Sequence, residues 1–112
     1  MGGIKMLFAK ITAQFEGIHY WKDAKGDESF LKNPHRHIFH IIVYIEQFHN
    51  DRDIEYIAFK RWLNKNASKK IDYKSCEMIA EDLARKIKRK YGNRKLKIEV
   101  TEDNENGCIL EL

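Results

Sequence analysis

The histidines are the residues of this sequence with the clearest chemical potential. His35, His37 and His40 stand within a stretch of six residues. Because side chains alternate along a β-strand, His35 and His37 share one face and His40 points to the other. Two imidazoles spaced in this way suit a divalent zinc ion, and His19 is the obvious third ligand. Three histidines that leave a fourth position open are typical of a catalytic zinc site. The alternative is a pair of partly exposed strand histidines.

The elements that must carry these histidines can be predicted from residue types and spacing. A strand is predicted for residues 4–15, a loop for 22–33, a strand for 36–48, a turn for 49–53, a helix for 58–66, a second helix that begins after Ser75, a strand for 95–101, a turn for 103–107 and a strand for 108–112. This β-β-α-α-β-β order predicts an α+β fold, with two helices on one face of a four-stranded antiparallel sheet.

The composition favours a folded domain, with 43% hydrophobic and 34% charged residues. The length of 112 residues suits a single domain over residues 1–112. No apolar run reaches the roughly 18 residues of a membrane span, and the N-terminal residues do not follow the pattern of a secretory signal. Two cysteines, Cys76 and Cys108, are too few for a disulfide framework. We therefore expect a cytoplasmic protein with no membrane partner.

The net charge of +4 is mildly basic and permits an anionic ligand. Five cations crowd into the stretch from Arg85 to Lys90, in the last turns of the second predicted helix. Cations at that position complement the helix dipole, and this is the interpretation that we favour. Contact with a phosphate group or a nucleic acid is the alternative.

Five short motifs stand in the same order, and in the same elements, as in a known enzyme family. They are Phe15-Glu16-Gly17-Ile18-His19, His35-Arg36-His37, Glu55-Tyr56-Ile57-Ala58-Phe59-Lys60, Ser75-Cys76-Glu77 and Ile98-Glu99-Val100-Thr101-Glu102. Over about residues 5–112 the chain thereby resembles the family of 6-pyruvoyl-tetrahydropterin synthase and 6-carboxytetrahydropterin synthase, the tunnelling-fold enzymes. The resemblance implies an oligomeric barrel, as a trimer, tetramer or hexamer, with binding sites at the seams between subunits.

The resemblance also implies a set of site residues. Zinc would be the cofactor, bound by His19, His35 and His37. Glu102 would accept hydrogen bonds from a pterin or purine-like heterocycle, since a carboxylate accepts two parallel bonds from a planar donor pair. Ser75 and Glu77 would be further substrate-binding residues. The other interpretations are a solvated hairpin residue for Glu102 and a first-turn helix acid for Glu77.

The chain departs from the family at both halves of the proton relay. The family has a catalytic Cys shortly before its H-G-H motif, but residues 20–34 contain no Cys, and Phe30 is closest to that position. The family also has an Asp–His pair between its helices, whereas the stretch from Asn66 to Tyr73 contains no His. We therefore expect that ordinary synthase activity is absent.

Three functions stay open at this point. The first is a zinc-dependent lyase or hydrolase of a pterin- or purine-related nucleotide, in which zinc polarises a substrate oxygen or activates water. Its base would come from Asp27, Glu28 or His40. The second is a module that binds such a nucleotide without turnover. In both, Tyr20 and Trp21 either stack on the bound ring or pack at the strand end. The third, ranked lowest, is nucleic-acid binding through the basic stretch.

Overall fold

Strand pairing defines the architecture of the computed structural model, which describes residues 5–67 and 70–112. The elements are β1 (Leu7–His19), a 3-10 helix (Gly26–Lys32), β2 (His35–Gln47), α1 (Tyr56–Asn66), α2 (Cys76–Tyr91), β3 (Leu96–Glu102) and β4 (Asn106–Glu111). The sheet has the order β1-β2-β3-β4, and each neighbouring pair is antiparallel. The predicted α+β class and the four-stranded antiparallel sheet are confirmed.

One hydrophobic core lies between the sheet and both helices. Alternate residues of β2 from Phe39 to Ile45 are fully buried in it, as are Ile98 and Val100 of β3. Helix α1 contributes Phe59 and Leu63. Helix α2 contributes an apolar stripe at helical spacing, namely Cys76, Ile79, Ala80, Leu83, Ala84 and Ile87. Both helices therefore cover the same face of the sheet, as predicted from the sequence.

The first strand is longer than predicted. It ends at His19 rather than at residue 15, because β1 pairs with β2 along its whole length, from Leu7 opposite Gln47 to His19 opposite His35. Glycine weakens the interior of a strand, but close packing favours it at Gly17. A Cβ atom at this position would lie 2.8 Å from Ile71 Cδ1 and 3.1 Å from the Phe39 ring.

Two predicted irregular segments are more regular in the structure. The prediction of a loop over residues 22–33 is wrong in its central part, where the 3-10 helix begins at Gly26. The last hairpin turn is also tighter than the predicted 103–107. Asp103 and Asn104 both have positive φ angles, and Glu105 N donates to Glu102 O at 2.9 Å. This turn shortens the connection to the three residues 103–105, so β4 begins early, at Asn106.

The bounds of the other elements differ from prediction by one or two residues, and α2 begins after Ser75 as expected. Ile4 of the predicted first strand, and Ser68 and Lys69 of the interhelical stretch, lie outside the described residues. Across the described ranges, no helix is both long enough and apolar enough to cross a membrane.

Candidate metal centre

The core-facing rows of three strands change from apolar to polar at one end of the sheet. Along β1 the row ends at His19, along β2 it begins with His35 and His37, and along β3 it ends at Glu102. One ring nitrogen of each histidine lies within 4.8 Å of those of the other two. The three histidines predicted from the sequence are therefore brought together, with Glu102 beside them, and we call them the histidine cluster.

Each ring of the histidine cluster engages its Nδ1 atom in a hydrogen bond. The bonds are His19 Nδ1 to Lys74 O at 2.9 Å, His35 Nδ1 to Asn33 O at 2.9 Å, and His37 Nδ1 to Asp103 Oδ2 at 2.6 Å. Carbonyl and carboxylate oxygens can only accept, so the Nδ1 atoms carry the protons. The three Nε2 atoms then carry lone pairs. This arrangement, with an acceptor behind each ring, is usual for histidines that bind a metal ion.

His19 is the most deeply buried member of the cluster. Its side chain is 10% exposed, and its Nε2 atom is buried without a hydrogen-bond partner among the described residues. Glu102 Oε2 lies 3.0 Å from this nitrogen and 3.7 Å from His37 Nε2. In the neutral Nδ1–H form of both rings, these are approaches of one acceptor to another. A cation between them would remove the unfavourable contact, and the donor set fits zinc.

The segment between the helices holds His19 in place. Asp72 forms a short parallel bridge with His19, and Tyr20 N donates to Asp72 O at 3.0 Å. Asp72 adopts a φ of 47°, a conformation that is uncommon outside glycine and more accessible to Asp. The chain turns there, so that the Lys74 carbonyl faces the imidazole.

A cavity of about 500 Å³ opens beside the cluster. All six predicted site residues line it, namely His19, His35, His37, Ser75, Glu77 and Glu102. Tyr20 and Trp21 also line it, together with residues that the sequence analysis did not assign to a site, namely Leu31, Tyr73, Lys74, Cys76, Met78, Asn106 and Gly107. Ser75 Oγ accepts from Met78 N at 3.2 Å, so Ser75 is also the N-cap of α2.

The three bases suggested by the sequence lie elsewhere. Asp27 and Glu28 are exposed on the 3-10 helix, outside the described lining of the cavity. His40 faces the opposite side of the sheet, as strand alternation predicted, and lies in a depression with Thr12 and Gln14. The structure therefore does not bring any of the three to the histidine cluster.

Cys76 is buried in the first turn of α2 and lines the cavity. Burial, reinforced by the nearby charge of Glu102, raises the pKa of the Cys76 thiol to about 12. Because the thiolate is the nucleophilic form, a thiol that stays protonated at neutral pH is not poised for attack.

Asp103 belongs to the candidate site although the sequence did not indicate it. It was predicted only as a turn residue, yet its Oδ2 atom accepts from His37 and its Oδ1 atom accepts from Ile38 N at 2.9 Å. The hydrogen bond from His37, followed by that from Ile38, holds the pKa of Asp103 below its usual value. No local sequence motif indicates this role. It depends on the register between β2 and β3, which places Glu102 opposite Phe39 and thereby brings Asp103 next to His37.

The basic stretch of α2 is partnered largely within the chain. Lys86 Nζ lies 3.0 Å from Asp82 Oδ2 and donates to Asn66 O at 2.9 Å. Arg85 lies 3.6 Å from the same aspartate. These contacts favour a structural role, in which the cations also complement the C-terminal end of the helix dipole.

No protein-family model matches this chain, and a search of the curated proteins finds no significant match. The functional argument therefore rests on the geometry of the cluster and its cavity.

Proposed function

We propose that this protein is a zinc-binding protein of the 6-pyruvoyl-tetrahydropterin synthase type that binds a pterin- or purine-related nucleotide. The observation that carries the proposal is the convergence of one ring nitrogen from each of three histidines, within 4.8 Å of one another, beside the Glu102 carboxylate. The buried Nε2 atom of His19 has no hydrogen-bond partner among the described residues, so this arrangement does not favour folding by itself. A bound cation would give these acceptor atoms a partner.

His19, His35 and His37 would hold the zinc ion through Nε2 and leave one coordination position toward the cavity. Zinc bound there would supply a Lewis acid toward a substrate oxygen or a water molecule. A proton on His19 Nε2 would also relieve its contact with Glu102, so metal content has to be measured directly. Elemental analysis of metal-replete protein is the measurement, and one zinc per chain is the expected result.

The cavity suits a planar, charged ligand. Its volume of about 500 Å³ lies within the roughly 300–1,000 Å³ that is typical of small-molecule sites. Glu102 is 30% exposed there and offers an acceptor to ring N–H and amino groups. Trp21 and Tyr73 are more than half exposed on the wall, where an aromatic ring can stack on a heterocycle. Lys74 adds a cation for a phosphate group.

Ordinary synthase chemistry is not part of the proposal. The chain has no Cys in residues 20–34, and Cys76 is held as a thiol. The carboxylates in the described lining of the cavity are Glu77 and Glu102. A zinc-dependent lyase or hydrolase would have to use one of these as its base. The alternative is a binding module without turnover, which the missing relay favours.

We further propose that several copies form a closed barrel, as a trimer, tetramer or hexamer. Both edge strands, β1 and β4, leave backbone groups available for pairing, and such edges are usually covered. Phe8, Ile18 and Ile109 are exposed on the face that the helices leave open. Light scattering at micromolar concentration tests this proposal, and a monomeric mass would contradict it.

Calorimetry with pterins, guanine nucleotides and 7-deazaguanine precursors tests the ligand assignment. Replacing Glu102 by Gln turns one acceptor into a donor, so affinity should fall by roughly 1.5–3 kcal/mol per lost charge-assisted bond. Glu105→Gln is the matched control, because it removes the same charge from an exposed residue of the same hairpin. Equal binding by wild type and Glu102→Gln, or no binding to any such ring, would overturn the assignment.

A further inference from the structure

We propose that Asp103 is a positioning residue that fixes His37 as its Nδ1–H tautomer and thereby keeps the Nε2 lone pair available in the cavity. The consequence for zinc affinity rests on the function proposed above. The tautomer itself is a property of the metal-free chain and can be measured without zinc.

The Asp103 carboxylate is fixed by β2 at both of its oxygens. Oδ2 accepts from His37 Nδ1 at 2.6 Å, and Oδ1 accepts from Ile38 N at 2.9 Å. The Asp103 backbone N also donates to Ile38 O at 2.7 Å. Three bonds to two consecutive residues leave the carboxylate little freedom to turn away from the imidazole.

The position of Asp103 in the hairpin turn makes this contact possible. Its φ of 54° lies in the left-handed region, which Asp and Asn tolerate better than most residues. The turn directly follows Glu102, so two consecutive residues of one hairpin contact the histidine cluster. Glu102 lies near the Nε2 atoms of His19 and His37, and Asp103 accepts from His37 Nδ1. The two neighbouring acids therefore have different tasks.

His37 differs from the other two histidines in the acceptor of its Nδ1 hydrogen bond. His19 and His35 donate to backbone carbonyls, which no single side-chain substitution at those acceptor positions removes. His37 donates to a side chain, so one substitution can reverse its hydrogen bond. Loss of such a carboxylate partner typically lowers metal affinity by about 10–100-fold.

Asp103→Asn is the sharpest test because it keeps the shape of the side chain and suits the turn. Asn Oδ1 can still accept from Ile38 N, which directs the amide NH₂ group toward His37 Nδ1. The ring must then accept at Nδ1 and carry its proton on Nε2, the atom that zinc needs. Glu105→Gln is the matched control, since it removes one negative charge from the same hairpin at an exposed side chain.

Two readouts are compared across the three proteins. Long-range ¹H–¹⁵N spectra of the metal-free chain at mildly alkaline pH should give His37 as Nδ1–H in wild type and Glu105→Gln, and as Nε2–H in Asp103→Asn. Zinc affinity from chelator competition should fall by about 10–100-fold in Asp103→Asn alone. Asp103→Ala, which removes the acceptor without adding a donor, serves as the second variant and should lose the fixed Nδ1–H form.

The outcomes separate this proposal from the proposed function. An Nε2–H tautomer for wild-type His37, or an unchanged tautomer in both Asp103 variants, would overturn the role of Asp103. Equal zinc affinity in wild type and Asp103→Asn would overturn its consequence for the metal. If wild type binds no zinc but the tautomer switches as expected, the zinc function fails and the positioning role of Asp103 is supported.

Discussion

The two ends of β2 both carry clusters of charged and polar side chains, but they differ in how well donors and acceptors are matched among the described residues. At the end opposite the histidine cluster, Arg94 Nη1 donates to Asp53 Oδ2 at 2.8 Å and to Glu46 O at 2.9 Å. The Arg94 guanidinium also lies over the Phe48 ring, 4.3 Å from its centroid. Phe48 N donates to the same Asp53 carboxylate. Donors meet acceptors throughout this cluster, which joins the end of β2 to the start of β3.

At the histidine end, His19 is buried to a similar degree, but its contacts have the opposite character. His19 is 10% exposed, as against 14% for the Arg94 side chain. At His19, however, the buried Nε2 atom lies 3.0 Å from a carboxylate oxygen and has no hydrogen-bond partner among the described residues. A buried polar group without a partner is costly, so an arrangement of this kind is expected where a ligand completes it. This contrast fits the proposal that the histidine end binds a ligand, whereas the contacts of Arg94 stabilise the fold.

The largest expected effect is the loss of zinc from His37→Ala. Two histidine donors remain after this change, and a zinc site normally needs at least three protein ligands. His40→Ala is the matched control, since His40 lies on the same strand but faces the other side of the sheet. Elemental analysis should find about one zinc per chain in wild type and His40→Ala and none in His37→Ala. Retention of zinc in His37→Ala would contradict the proposal that His37 binds the metal ion and that this end of the sheet is a zinc site.

A large loss of stability is expected from Phe39→Ala. Phe39 is fully buried, stacks on Phe15 with ring centroids 5.3 Å apart, and meets the His19 and His37 rings edge-on at 5.2 and 5.8 Å. Removing a buried Phe side chain typically costs about 3–5 kcal/mol. Denaturant unfolding of the metal-free protein measures the change in the free energy of unfolding.

Ile45→Val is the control for Phe39→Ala, because Ile45 is buried in the same row near the Arg94 end. It should cost only about 0.5–1.5 kcal/mol. If Phe39→Ala lowers the free energy of unfolding no more than the control does, the side chain of Phe39 does not contribute to stability as a core residue should.

The fold could be predicted from the sequence to a large extent because its signals are local. The stripe of α2 repeats at helical spacing, Ser75 caps it, and Gly92 ends it at a positive φ. The alternation in β2 assigned His40 to the opposite face correctly. Boundaries were less predictable where pairing overrides local preference, as at Gly17, which the partner strand keeps in β1 although its residue type favours a strand end.

The candidate site could be predicted only in part, because only some of its contacts are local in sequence. His35 and His37 are neighbours on one strand, so their proximity follows from spacing alone. Asp103 approaches His37 because of the register between β2 and β3, and Lys74 approaches His19 because of the turn at Asp72. Contacts between residues far apart in sequence have no local pattern, and Asp103 was therefore predicted only as a turn residue.

Zinc should stabilise the protein by an intermediate amount. A ligand that binds only the folded state adds about 2.7 kcal/mol to the free energy of unfolding when its free concentration is about 100 times its Kd. We expect this gain in wild type and in Arg94→Gln, because the Arg94 cluster lies at the other end of the sheet. His37→Ala should show no gain. Thermal or denaturant unfolding with and without zinc measures it, and a loss of the zinc effect in Arg94→Gln would contradict the independence of the two ends.

The smallest expected effect is a pH dependence that belongs to the Arg94 end. Hydrogen bonding from Arg94, followed by that from Phe48 N, holds the pKa of Asp53 below its ordinary value of 3.8. A carboxyl whose pKa is lower in the folded state adds stability above its unfolded pKa, and this contribution is lost as the pH falls through the folded value. The stability difference between wild type and Arg94→Gln should therefore shrink as the pH is lowered below 3.8. The lowered pKa of Asp82 is present in both proteins, so the difference isolates Asp53. Denaturant unfolding across this pH range measures the difference, and an NMR titration of Asp53 follows the carboxyl itself. If the difference in the free energy of unfolding does not change with pH, Arg94 stabilises the fold by packing on Phe48 rather than by pairing with Asp53.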